Sequence, residues 1–433
     1  MPTANVAAVL AKARRRLIPF LFLLYIVAYL DRINVGFAAL QMNQALGFSA
    51  STYGFGAGIF FLSYVLFEIP SNVILARVGA RLWIARIMIT WGIVSSGMMF
   101  VRSAQGFYTL RFLLGLAEAG FFPGIIFYFT RWFPPRERAR TIATFMTATL
   151  TAGVIGAPIS GALLSIHAGG LAGWQWLFVL EGLPAVVLGV VVLFVLPDGP
   201  ETARWLSEGE RAAVREALTE RGRVSEGRGR VSERDESRDP SPSTRDALAS
   251  GRVWLISVAH FLLIPVALYG IGFWMPQILK TASGGSDFEV GLLTAIPYAC
   301  GAVAMVIAGR HSDRTGERRW HVAIAAAVCA SGLVLSTLGA GSVWSVATLS
   351  LAMVGLAGVF GPFWALASVT IRGTGAAAAI ALINSVGNTG GFVGPYLLGA
   401  INDATHSFAI GLYAIAAMLV LGGVLILGVK DRS

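Results

Sequence analysis

The chain has 433 residues, of which 56% are hydrophobic and only 13% charged. A water-soluble core could not absorb that much apolar side chain, so the composition excludes an ordinary soluble domain and indicates a polytopic membrane protein. The formal net charge of +10 raises nucleic acid as a partner, but the placement of the basic residues decides its meaning.

Apolar segments of about 20 residues match the length that crosses a ~30 Å hydrocarbon core as helix. Twelve occur, at 17–39, 52–76, 82–101, 106–130, 140–166, 174–196, 252–279, 288–309, 320–340, 343–369, 374–401 and 406–428. With the N-terminus in the cytoplasm, nearly all basic residues fall in the termini, in cytoplasmic loops or at cytoplasmic helix ends. Arg32 and Arg111 are intramembrane, and only Arg102 and Lys280 fall outside. This is the positive-inside pattern; it places both termini in the cytoplasm and argues against a nucleic-acid partner. Arg14 to Arg16 lead directly into the first span, without an early apolar core and small-residue cleavage site, so no cleavable signal peptide is expected. Cys300 and Cys329 both lie within spans. Neither a disulfide framework nor a metal site is indicated, and no cofactor is expected.

Between the sixth and seventh spans the composition turns to Arg, Glu, Ser, Gly and Pro, a mixture that buries too little apolar surface to fold. The expected organisation is a six-helix bundle over 1–196, a largely disordered cytoplasmic linker over 197–250 with a short charged helix from Glu208 to Arg221, and a second six-helix bundle over 251–433. A shift of 237 residues carries Arg77 onto Arg314, Gly79 onto Gly316, Arg81 onto Arg318, Gly153 onto Gly390 and Pro158 onto Pro395. One shift aligning two separate regions is the mark of an internal repeat, so the predicted fold is all-α with two pseudo-symmetric halves.

Two spans carry opposite charges: Asp31 and Arg32 in the first, Arg111 and Glu118 in the fourth. An ionisable side chain at membrane depth costs roughly 2.5 to 3.5 kcal/mol even on lenient insertion scales, and such residues mark substrate or ion pathways. At 1.5 Å per residue, Asp31 lies roughly 21 Å from Leu17, and Arg111 roughly 8 Å below the outer face at a similar depth. Arg111 and Glu118 are seven residues apart and share a helix face. These placements predict an Asp31/Arg111 ion pair with Glu118 nearby. Burial raises a carboxyl pKa and a nearby Arg lowers it, so making and breaking such a pair converts motion into proton binding. Arg also suits a substrate carboxylate through bidentate geometry.

After the eighth span, Gly309, Asp313, Arg314, Gly316 and Arg318 form a loop pattern that resembles the G-x-x-x-D-R-x-G-R-R signature of the major facilitator superfamily. The first-half copy keeps Arg77, Gly79 and Arg81, but Asn72 and Ala76 stand where Gly and Asp are expected. An Asp there can accept hydrogen bonds from Arg and from a neighbouring helix N-terminus, forming a conformational latch. With the Asp missing, the first-half latch is expected to be weaker. YLDRINVGFA, EIPSNVIL, RFLLGLAEAGFFPGIIFYFTRWFPPRERAR, GWQWLFVLEGLP and SVGNTGGFVGPYLLG resemble the anion:cation symporter family, in particular its bacterial tartrate, phthalate and hydroxyphenylacetate transporters. That resemblance implies protonation at Asp31 and Glu118, a substrate carboxylate on Arg32, Arg111 as the coupling partner, and Tyr29 and Tyr64 in the cavity wall.

Asn384 and Asn388 lie one turn apart in the Gly-rich eleventh span, where two amides are costly to bury without partners; they are the second-half candidates for the substrate site. Glu68 and Glu181 read as structural, and Trp364 as core. Gly54-Phe-Gly56-Ala-Gly58 and Gly390-Gly391-Phe-Val-Gly394-Pro395 permit close helix contact, but no P-loop occurs, so an ion gradient must power transport. The expectation is a monomeric bacterial inner-membrane transporter in the lipid bilayer, importing a small organic anion with protons by alternating access. An exporter or exchanger, and a non-transporting carboxylate receptor, are the alternatives. No enzyme is expected, because no nucleophile and base arrangement is found.

Overall fold

The computed structural model describes residues 6–227, 248–370 and 376–429; linker residues 228–247 lie outside these. Seventeen α-helices follow, with no strand among the described residues. The first eight are α1 Val6–Leu46, α2 Ala50–Val78, α3 Ala80–Gly97, α4 Ala104–Glu118, α5 Phe121–Trp132, α6 Pro135–Met146, α7 Ala148–Leu164 and α8 Gly173–Val195. The linker contributes α9, Glu208–Gly227, somewhat longer than the sequence indicates. Then come α10 Gly251–Leu263, α11 Pro265–Ser283, α12 Asp287–Thr315, α13 Arg319–Ser336, α14 Ser342–Thr370, α15 Ala376–Asn388, α16 Gly390–Thr405 and α17 Ala409–Leu427.

Ten of the twelve sequence spans are helices, or helix pairs, long and apolar enough to cross a membrane. The other two occur as the broken pairs α6/α7 and α15/α16. Two interruptions have plain causes. Gly120 adopts φ 86° between α4 and α5, and a Cβ there would lie 2.3 Å from Ser71 Oγ, so only glycine fits. Pro265 lacks the N–H that would continue α10, and it opens α11 instead. The start of the linker is anchored to the first helices: Trp205 stacks on Trp132 at 5.5 Å, and Lys12 Nζ lies 2.9 Å from Glu210.

The repeat is visible in the packing. Gly79 and Gly316, related by the 237-residue shift, both turn the chain at positive φ, 98° and 71°. Where α1 crosses α11, equivalent positions meet: Arg32 donates to Tyr269, 237 residues on, and Gly36 packs on the Phe273 backbone, its Cβ position 3.0 Å from Phe273 O. Two seams join α1–α8 to α10–α17. In one, Gly54, Gly58 and Gly399 bring α2 against α16; in the other, Gly161 and Gly291 bring α7 against α12. The same shift converts one seam into the other to within a residue or two.

Hydrogen bonds between the two groups run from the end opposite the termini to mid-helix. Asp403 accepts from Ala50 and Ser51 N–H at 2.9 and 2.8 Å, Gln41 donates to Asp287 at 2.7 Å, and Tyr53 donates to Phe273 O at 3.0 Å. Arg32 to Tyr269 and Asn384 to Glu68 lie deeper. No further hydrogen bond joins the groups toward the terminus-bearing end among the described residues. The hydrogen bonds between the halves are therefore concentrated toward the end opposite the termini.

Candidate functional site

The site forms where α1, α2, α4 and α11 converge at mid-helix. Arg32 forms an ion pair with Glu118 and donates to the Tyr269 hydroxyl at 3.3 Å. Its guanidinium faces the rings of Phe60 and Tyr64 at 5.5 and 5.4 Å, a cation–π arrangement that is strengthened by exclusion of water. Glu118 ends α4 at the Gly120 break, fully buried, with Oε2 unpartnered; Arg32 Nε is likewise unpartnered. A charged pair with one open donor and one open acceptor can exchange partners without dismantling the surrounding helices.

The expected Asp31/Arg111 ion pair is absent. Gly115 lets α4 approach α2 so closely that a Cβ would lie 2.1 Å from Phe60 O. This packing turns Arg111 onto the carbonyls of Gly56 and Ala57, at 3.3 and 3.0 Å, with its guanidinium 5.0 Å from the Phe60 ring. Asp31 faces α3, accepting from Ser95 Oγ and from Asn34 Nδ2 at 3.2 Å. Successive residues on a helix point about 100° apart, so the helix that aims Arg32 at Glu118 aims Asp31 away from α4. The shared face of Arg111 and Glu118 is as expected, since both look toward α1 and α2.

Tyr64 lines the Arg32 pocket, whereas Tyr29 packs with Ile33 and Ala152. Asn384 donates to Glu68 Oε1 across the seam at 3.3 Å. Asn388 ends α15, half-buried, one turn beyond. Trp364 packs edge-on against His260 at 5.0 Å. Sequence reasoning missed Tyr269, Phe60 and Ser95. Tyr269 was within its reach, because the 237-residue shift carries Arg32 onto it; Asn34 was legible from its spacing, one turn after Asp31.

The latch residues behave differently from expectation. In the first half, Asp198 from beyond α8 supplies the missing carboxylate: it accepts from Arg81 N–H at 3.0 Å and lies 3.6 Å from Arg81 Nε. Gly79 is required there, since a Cβ would meet Asp198 at 2.9 Å; Arg77 is exposed. In the second half, Asp313 and Arg314 are exposed, and Asp313 accepts from neither an Arg nor a helix N-terminus among the described residues. Gly309 has no neighbour within 4 Å of its Cβ position. Glu317 instead caps α13 through Trp320 and His321 N–H, and Gly316 and Arg318 shape the turn before it.

A family model described as Major Facilitator Superfamily matches residues 21–395. The chain is 50% identical over 421 residues to "Putative tartrate transporter" of Agrobacterium vitis, covering 97% of this chain and 94% of the relative. It is 38% identical over 428 residues to "Inner membrane transport protein RhmT" of Escherichia coli (strain K12), covering 98% and 96%. Among solved structures, a bacterial homologue of the human lysosomal transporter Spinster, in an inward-facing and occupied conformation, superposes with a TM-score of 0.75 at 16% identity over 96% of each chain.

Proposed function

The chain belongs to the major facilitator superfamily of membrane transporters, and we propose that it imports a small organic carboxylate together with protons across a bacterial inner membrane. The observation that carries this reading is the Arg32–Glu118 pair, placed where the two halves meet and open at Arg32 Nε and Glu118 Oε2. Arg32 is the cation for the substrate carboxylate. Glu118 occupies it until a proton neutralises the carboxylate and weakens the pair; the freed guanidinium then takes the anion between Tyr64, Phe60 and Tyr269. Proton and anion therefore bind together, and the proton taken up by Glu118 offsets the charge of one substrate carboxylate.

Alternating access follows as rocking of the halves 1–196 and 251–433 about the α1/α11 crossing. The positive-inside distribution supports cytoplasmic termini, which on this reading turns the hydrogen-bonded end of the two halves outward. Relatives named for tartrate and for the inner membrane support the substrate class and location. Asp31 and Arg111 are further members of the coupling machinery, with Asn384 and Asn388 as second-half contacts to the substrate. The latch residues govern closure at the cytoplasmic end.

The test is uptake of tartrate and related hydroxydiacids into proteoliposomes with an acid exterior and a trapped pH dye. Gradient-driven uptake with lumen acidification is expected. Alkalinisation of the lumen would mean exchange or export, and binding without accumulation would mean a receptor; either overturns the reading.

A further inference from the structure

Glu68, on α2, is 6% exposed and forms no ion pair among the described residues. Its one hydrogen bond comes from the second half: Asn384 on α15 donates to Oε1 at 3.3 Å, while Oε2 is buried without a partner. An unmet acceptor at such burial is costly, and the position of this one indicates what meets it.

Tyr64 and Glu68 are four residues apart on α2 and therefore neighbours on one face, with about 5–6 Å between their Cβ atoms. The Tyr64 ring lies 5.4 Å from the Arg32 guanidinium, so a ligand with its carboxylate on Arg32 has Glu68 within one helical turn along α2. Asn384 faces Glu68 from the other half, on a helix that is firmly seated. His260 Nδ1, on α10, donates to Ile383 O at 3.1 Å, and the His260 ring stacks on Phe363 at 5.1 Å. That ring also fills the space beside Gly387, where a Cβ would lie 1.7 Å from His260 Nδ1. The second half thus holds Oε1 of Glu68 in place and leaves Oε2 open.

A hydroxyl fits Oε2 in either protonation state, because it donates to a carboxylate and accepts from a carboxylic acid. An aromatic ring or a methylene does neither and would leave the oxygen unmet. We propose that Glu68 is a specificity-determining residue, reading a hydroxyl on the substrate whose carboxylate lies on Arg32, with Asn384 fixing its orientation from the second half. The preferred substrate is therefore a hydroxylated carboxylate rather than an aromatic or unsubstituted one. This rests on the reading of Arg32 as the carboxylate site and adds the residue that chooses among carboxylates.

The experiment offers the full chain tartrate, malate and succinate, diacids of equal length with two, one and no hydroxyl groups. Wild type is expected to bind them and take them up in that order. Glu68→Met keeps the length of the side chain but removes both oxygens, so its ratio of tartrate to succinate kcat/KM should fall by about tenfold or more, with succinate itself little changed. Glu68→Gln retains a hydrogen-bonding end and should keep most of the preference. If Glu68→Met loses all three substrates in proportion, with the ratio at its wild-type value, Glu68 is structural and the proposal falls. Thermal shifts of the wild type by the three acids decide the matter where the variant does not fold: stabilisation that ignores hydroxyl number overturns it. Ranked binding without accumulation would sink import and uphold the role of Glu68, whereas equal accumulation of tartrate and succinate would do the reverse.

Discussion

Glu118→Gln separates the two roles of the central pair. On the proposed mechanism an incoming carboxylate competes with Glu118 for Arg32, so binding would include breaking a charge-assisted hydrogen bond in a site where Glu118 is fully buried. Such a bond contributes about 1.5–3 kcal/mol, and each 1.4 kcal/mol is about tenfold in affinity. Replacing the carboxylate by a neutral amide of the same shape should tighten carboxylate binding by roughly 10- to 150-fold wherever the wild-type ion pair with Arg32 is intact. The gain should shrink in acid, because protonation silences the competitor in the wild type too. Calorimetric titration of purified protein with tartrate at pH 5.5 and 8 measures this, and uptake assays should show facilitated exchange without proton-driven accumulation. Equal weakening of binding at both pH values would refute the reasoning, since it would make Glu118 a direct ligand of the substrate rather than its competitor.

Three other outcomes are expected. Arg32→Lys keeps the charge but loses the fork that bridges Glu118 and Tyr269; substrate KM should rise at least tenfold, and an unchanged KM would remove the bidentate argument. Gly54→Val places a Cβ 2.4 Å from Pro395 O, so the α2/α16 seam cannot close; thiol labelling of a cysteine at position 51 should accelerate from the outer face, with no change if the seam does not move. Burial alone would raise the Glu317 carboxyl, but hydrogen bonds from Trp320 and His321 hold it below the ordinary range. A depressed carboxylate stabilises above its unfolded value and loses that contribution as pH falls through the folded one. Glu317→Ala should therefore cost about 1 kcal/mol near neutrality, read as faster hydrogen exchange at the start of α13, and the difference from wild type should vanish in acid.

The spans were legible because composition leaves no alternative: an apolar stretch of that length in lipid must satisfy its backbone internally, as helix. The glycine turns at Gly79 and Gly316 were legible for a similar reason, since both positions need positive φ. The partners of the central charges were not. Spacing along one helix fixes depth and face, which is why Arg111 and Glu118 were placed together, but rotation of one helix against its neighbour depends on contacts such as Gly115 on Phe60 O. A rotation of one residue decides whether Asp31 or Arg32 meets α4. Interruptions have the same character: Glu118 reads as mid-span in the sequence, yet it ends a helix because Gly120 must fit beneath Ser71.

The duplication also constrains how the site can work. On the dyad-like crossing, Arg32 meets its own repeat position, occupied in the second half by Tyr269. A second arginine there would bring two like charges together at the point of closest approach, whereas a phenol can accept from the guanidinium and donate to an anion. The first half can then hold the charges that bind protons and substrate, and the second can close over them without adding charge. On this division, Tyr269→Phe should leave the Arg32–Glu118 pair and its pH dependence intact while slowing the closure step. A Tyr269→Phe variant whose pH profile moves as far as that of Glu118→Gln would show instead that proton binding is shared between the halves.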